Sequence, residues 1–342
     1  MDKPTFSLRF DDLVATGTVL AQHNEPFMIV GPPGVGKTAA VQAIAQRLGA
    51  DLLNRFTSIE DPTDPKGLPW LMHKPDGTVK ADFVPFADTE RLYTADTLLV
   101  CFLDDFGQAP PATQAPYMQL LHAREWNGRR VSPYVRFVLA TNRRQEGCII
   151  IPPVIDRMAA IFQILVEVES WTAWAAADGC IDPRMIAFLR VRPDLILTEP
   201  KRGSIEKWCT PRSWHTLGRL LLYCLPVTIQ LTEAVIGSGA GAEVVAFCRN
   251  LDILPTREDI YTQPNKAKVP QKPDLLYAVS SLLAHGATLE RMAPTIVYLN
   301  RLPPEYAVLC LKDIKRRDVT LLETPAFDQW ASQKDHAALF GL

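Results

Sequence analysis

The sequence predicts an α/β domain built on a parallel sheet, followed by a half made of helices alone. Short apolar runs at 27–30, 98–103, 135–140 and 161–165 alternate with helix-patterned segments up to residue 169. Past Ser170 only helix-patterned segments follow. Two of the apolar runs end in polar side chains, Asp104-Asp105 and Thr141-Asn142, as buried parallel strands do when they deliver functional groups at their C-terminal edge.

The chain has 342 residues, 47% of them hydrophobic and 22% charged, which suits a two-domain globular protein and excludes disordered and fibrous classes. A net charge of −2 gives no bulk attraction to nucleic acid or acidic membrane, although a local basic patch stays open. The start, Met1-Asp2-Lys3-Pro4, has no apolar leader, and no run of eighteen apolar residues occurs, so a cytoplasmic protein without a membrane span is expected. Seven cysteines, an odd number with no C-x-x-C pair, argue for reduced thiols rather than a disulfide framework or a zinc site.

Residues 10–21 carry Phe10, Leu13, Val14, Leu20 and Ala21 at helical spacing, weakened by Gly17 and ending before His23-Asn24-Glu25-Pro26. The strand Phe27-Met28-Ile29-Val30 follows, then Gly31-Pro32-Pro33-Gly34-Val35-Gly36-Lys37-Thr38, then a helical pattern to Leu48 closed by Gly49. This is a complete G-x-x-x-x-G-K-T phosphate loop between a strand and a helix. Its glycines let backbone N–H groups curl round an anion at a helix N-terminus, Lys37 reaches outer phosphates, and Thr38 is a ligand for Mg²⁺. The helix at 10–21 is expected to lie beside it.

A second strand is expected at 52–57. Residues 60–88 contain five prolines and an Asp76-Gly77 turn, and read as an inserted loop or short hairpin. Its Leu68, Trp70, Leu71 and Phe83 either tuck against the domain or form a contact surface, and the usual burial of such residues favours the tuck. The apolar run 98–103 then delivers Asp104, expected to hold Mg²⁺ through water, and Asp105, expected to orient or deprotonate an attacking water.

A helix at 112–121 precedes a tight turn at Asn127-Gly128, and the strand at 135–140 ends in Asn142, which either contacts a terminal phosphate or makes an Asx turn. In the helical half, Trp171, Trp174 and Ala175 share a face, Asp182-Pro183 and Thr210-Pro211 start helices, and residues 237–241 break two helices. A linker at 261–273 precedes helices at 274–285, 288–299 and 304–316.

Taken together, these motifs resemble the AAA+ ATPases, and within them the MoxR-like branch. The match runs in order through Gly31 to Thr38 (Walker A), Leu99 to Asp105 (Walker B), Ala140-Thr141-Asn142 (sensor 1), Ile155-Asp156-Arg157 (arginine finger) and Thr210-Pro211-Arg212-Ser213-Trp214 (sensor 2). The resemblance implies a core sheet of strand order 5-1-4-3-2 in an α/β domain over 1–169, and a helical lid with a C-terminal helical region over 170–342. It implies ATP and Mg²⁺ as cofactors, Asn142 as phosphate sensor, Arg157 as a finger into a neighbouring subunit, and Arg212 as the lid residue that reports the γ-phosphate. Arg143 and Arg144 compete with Arg157 for the finger role. The family's second Walker B acid is usually Glu; Asp105 is one methylene shorter, which predicts slow hydrolysis.

The resemblance further implies an ATPase working as a ring, hexameric by analogy, that remodels a partner protein, with von Willebrand A-domain proteins the usual partners. Two other readings stay open. One is a nucleotide switch or assembly scaffold with slow hydrolysis. The other is a nucleic-acid motor, for which Arg129-Arg130 and Lys312, Lys315, Arg316 and Arg317 are the candidate contacts and against which the net charge speaks.

Overall fold

The computed structural model describes residues 6–73, 75–126, 128–200 and 203–332. The chain divides into two compact units, Met1–Leu165 and Val166–Leu342.

The first unit is organised around a six-stranded parallel sheet. Its strands are β1 (Phe6–Arg9), β2 (Phe27–Val30), β3 (Asp51–Phe56), β6 (Leu99–Asp104), β9 (Val135–Thr141) and β10 (Ala160–Leu165), in the order β1-β10-β2-β9-β6-β3. The five strands from β10 to β3 reproduce the 5-1-4-3-2 order. The sixth, β1, was not expected: it pairs with β10 from Phe6↔Phe162 to Arg9↔Leu165, and four residues are too short a run to show a period in the sequence. Every residue of β6 is buried, as its unbroken apolar run requires of a strand covered on both faces.

Helix α1 (Phe10–Gln22) packs on α2 (Lys37–Leu48). The close packing explains Gly17: a Cβ there would lie 2.7 Å from Ile44 Cδ1 and 2.9 Å from Phe27 Cζ. Helix α3 (Ala87–Thr94) precedes β6, α4 (Pro111–Ala123) follows it, and the single turn α5 (Pro152–Asp156) precedes β10. Strands β7 (Glu125–Trp126) and β8 (Arg129–Arg130) form the small hairpin expected there, with Gly128 at φ 72°; Asn127 lies outside the described residues.

The insert is a hairpin of β4 (Leu68–His73) and β5 (Val79–Val84), paired from Leu68↔Val84 to His73↔Val79. Its apolar side chains do not tuck against the domain. Trp70 is 63% exposed and Leu71 60%, and Leu68 and Phe83 are exposed as well. A two-stranded ribbon standing off the body has no second layer to bury either face.

The second unit is helical: α6 (Val168–Asp178), α7 (Pro183–Val191), α8 (Pro211–Leu222), α9 (Ile229–Ile236), α10 (Ser238–Asn250), α11 (Arg257–Thr262), α12 (Pro273–Gly286), α13 (Leu289–Leu299), α14 (Pro304–Arg317) and α15 (Pro325–Ala331). Asp182 and Thr210 cap α7 and α8 as their sequences predict, each accepting from a first-turn amide. The break at 237–241 is narrower than expected: Gly237 alone separates the helices, and Gly241 sits inside α10 because a Cβ there would meet the Glu233 nitrogen at 2.6 Å. Trp171 and Ala175 are buried while Trp174 is exposed. A buried ion pair, Arg190 with Asp313 at 2.7 Å, joins α7 to α14. Among the described residues no helix is long and apolar enough to cross a membrane.

Candidate nucleotide site

The C-terminal ends of β2, β6 and β9 lie side by side in the sheet, and each hands over a loop carrying a polar group. From β2 the chain enters the phosphate loop. Gly34 at φ 80° and Gly36 at φ 102° take left-handed conformations, which glycine adopts without steric cost, and α2 begins at Lys37. Gly31 is demanded by packing instead, since a Cβ would meet Ile164 Cγ2 of β10 at 2.6 Å. Its amide donates to Thr141 O at 3.2 Å, which ties the loop to β9.

Lys37 is 7% exposed, and its Nζ donates to Gly31 O at 2.8 Å, Pro32 O at 3.1 Å and Asn142 Oδ1 at 2.6 Å. Residues over a hundred positions apart are thus joined where a strand end meets a helix N-terminus. Asn142 is therefore a side-chain partner of the loop lysine and not an isolated turn former. Thr38 Oγ1 donates to Asp104 Oδ2 at 3.2 Å, and the other oxygen, Oδ1, accepts from the Asp105 amide at 2.9 Å. Asp105 sits at φ 52°, ψ 32°, a left-handed conformation that Asp tolerates better than longer side chains because its short carboxylate bonds locally.

The oxygens of Thr38 and Asp104 suit a hard divalent cation. Among the described residues there is no group of three or more His, Cys, Asp or Glu that could form a complete protein cage. Two protein oxygens fit Mg²⁺, which keeps water and takes phosphate oxygens for its remaining positions.

Within the first unit, the structure does not bring every predicted residue into this cluster. Arg157 follows α5, and its Nη1 donates to Pro153 O at 2.6 Å in its own turn. Its Nε is buried without a partner among the described residues. Arg143 pairs with Glu146, its Nε 2.7 Å from Oε1, and Arg144 is exposed on the same loop. Arg212 lies in the first turn of α8 in the second unit, exposed, with Ser213 and Trp214 after it buried. Of the basic residues considered for nucleic acid, Arg129 is held by both oxygens of Glu90 and lies 4.1 Å over the Tyr93 ring. Arg317 caps α12 through Ala284 O and Ala287 O, and Arg316 reaches Asp313.

Sequence reading missed two supports. Thr57, fully buried at the end of β3, donates to Asp104 O at 2.9 Å. Gly107 leaves room for Thr141 Oγ1, which a Cβ would meet at 2.3 Å. A threonine at a strand end was the only available signal for the first.

Residues 26–158 match the family model described as the AAA domain of the dynein-related subfamily. No curated protein matches the chain in sequence. Among solved structures, the chain is similar to a point mutant of RuvB from Thermotoga maritima at 11% identity and TM-score 0.38, covering 94% of this chain and 87% of that one. It is also similar to NtrX from Brucella abortus, solved in complex with ADP, at 15% identity and TM-score 0.41, covering 97% and 68%.

Proposed function

We propose that this chain is an AAA-domain ATPase that binds ATP with Mg²⁺, hydrolyses it slowly in an oligomeric ring, and uses the cycle to remodel a partner protein. The observation that supports this best is the convergence of Lys37, Thr38, Asp104 and Asn142 within hydrogen-bonding distance at the sheet's C-terminal edge. The finer placement in the MoxR-like branch rests on the order of the five motifs.

In this reading the loop amides and Lys37 hold the β- and γ-phosphates, and Lys37 exchanges its backbone carbonyl partners for phosphate oxygens. Thr38 and Asp104 would hold Mg²⁺, which would supply positive charge against the phosphates. Asp105 accepts a proton from the attacking water or orients it, and Asn142, already positioned by Lys37, bonds the γ-phosphate or that water. Arg157 stabilises charge on ATP bound by the neighbouring subunit, an effect that reaches ~10³ to 10⁵ in rate where fingers are known. Arg212 reports the γ-phosphate to the helical unit. Asp105 also favours a second reading, an ATP-held switch whose output is the bound state: its carboxylate is short, and its left-handed backbone sets where it reaches. A nucleic-acid motor is less well supported, because Arg129, Arg316 and Arg317 are engaged within the fold.

Subunit mixing tests the shared site. Asp105→Asn and Arg157→Ala proteins should each bind ATP and turn it over barely, while an exchanged equal mixture recovers activity, since about a quarter of random interfaces are intact. An Arg157→Ala protein as fast as the parent, or a fully active monomer, would remove the finger from the account.

A further inference from the structure

The inserted segment that carries the hairpin begins after Glu60 and ends at Thr89, and both points are held by one side chain. Arg55 is 7% exposed in β3; its Nε donates to Glu60 Oε1 at 2.9 Å and its Nη1 to Thr89 Oγ1 at 3.1 Å. The other Glu60 oxygen accepts from the Tyr117 hydroxyl of α4, and Thr113 of α4 donates to Glu60 O at 3.3 Å. The guanidinium lies 6.0 Å from the Tyr117 ring. A buried ion pair with each partner hydrogen-bonded holds its geometry tightly, because any loosening leaves a charge unsatisfied in a poorly solvated place.

The same strand reaches the nucleotide site. Arg55 pairs in register with Leu103 and Phe56 with Asp104, and Thr57, two residues on, donates to the Asp104 carbonyl. At the base of the ribbon Gly67, at φ 88°, crosses Val84 so closely that a Cβ would lie 2.2 Å from Val84 O, so its two strands enter and leave side by side. Because Glu60 and Thr89 lie on the chain segments that lead into and out of the ribbon, a displacement carried along them loads Arg55 and then the strand whose end positions Asp104.

We propose that Arg55, with Glu60 and Thr89, is a positioning clamp that couples the exposed hairpin to the carboxylates of Asp104 and Asp105. It rests on the proposed ATPase site only for what the coupling controls. The clamp itself is a property of the fold. The step it governs is the placement of the water and cation relative to Asp104 and Asp105, not the holding of the phosphate chain, which belongs to the loop and Lys37.

Thr89→Val tests this, because it cuts the returning root while leaving the Arg55–Glu60 pair whole and the side-chain volume nearly unchanged. It should lower kcat roughly three- to tenfold with KM for ATP within about twofold, the pattern of a misplaced reacting group. Thr89→Ser, which keeps the hydroxyl, should restore kcat. In nucleotide-free protein, Thr89→Val should also speed amide exchange at 104–108. Arg55→Lys, which can no longer hold both roots, should repeat both effects. Unchanged kcat together with unchanged exchange at 104–108 would overturn the clamp, as would a serine variant no better than valine. If the parent neither binds nor hydrolyses ATP while exchange at 104–108 still responds, the ATPase reading fails and the clamp stands.

Discussion

Replacing Gly31 by alanine should destabilise the first unit by about 1–3 kcal/mol, the cost of forcing a methyl group into a filled core. The new Cβ would sit 2.6 Å from Ile164 Cγ2 and 3.1 Å from Val35 Cγ2. Carbon atoms in contact prefer roughly 3.5–4.0 Å, so the overlap with Ile164 is about 1 Å. Neither side can retreat cheaply: β10 is paired on both sides, with β1 and β2, and Gly31 is tied to Thr141 O and Lys37 Nζ. Ile164→Ala removes the obstructing methyl and leaves Ile164 Cβ at 3.9 Å, an ordinary contact. That substitution alone should cost about 2–5 kcal/mol, because Ile164 is buried. Adding alanine at 31 to the Ile164→Ala protein, with only the 3.1 Å approach to Val35 left to relax, should then cost under about 0.5 kcal/mol, giving a coupling energy of about 0.5–3 kcal/mol. Amide exchange of Phe27–Val30 and Ala160–Leu165 measures each corner of the cycle, with every ~1.4 kcal/mol appearing as tenfold faster opening. Strict additivity would show that Gly31 is not there for the close approach of β10.

Two further expectations concern regions away from the loop. Trp70→Ser should change stability by no more than about 0.5 kcal/mol in urea unfolding, because the indole is mostly in water; a loss above about 2 kcal/mol would mean the ribbon is tucked after all. In the second unit, burial pushes His285 below its ordinary value, with Arg317 and Arg257 adding to this against the Gly179 carbonyl and Asp182. The unfolded chain therefore takes up a proton that the fold excludes, so stability is intact above about pH 6.5 and falls as pH drops below it. Urea midpoints from pH 5 to 8 should show this slope, reduced in His285→Gln, with the rest coming from His215, which burial lowers in the same sense. An unchanged slope in His285→Gln would contradict the assignment.

The inner sheet and the core of the site were legible because both rest on local pattern. A loop of fixed spacing after an apolar run, and carboxylates at the end of another, are written in consecutive residues, and Thr38 does meet Asp104 while Lys37 meets Asn142. What failed to show depends on partners distant in sequence. Gly17 reads as a weak point in α1 until Ile44 and Phe27 are seen against it. Arg55 and Glu60 are ordinary charged residues in the sequence, and only the fold shows Arg55 buried and Glu60 half-buried with Tyr117 of α4 beside them. The left-handed turn at Asp105 has no glycine to announce it. The apolar residues of the hairpin follow a strand pattern that says which residues alternate, not whether a layer exists to receive them.

The most direct test of the account is ATP binding and turnover with Mg²⁺ in the parent and in Lys37→Ala. Loss of a charge-assisted contact worth about 1.5–3 kcal/mol should weaken ATP binding by roughly ten- to a hundredfold. Hydrolysis should become undetectable, while amide exchange in β6 and β10 stays near that of the parent. A Lys37→Ala protein that binds and hydrolyses ATP as the parent does would contradict the assignment of this loop as the phosphate site.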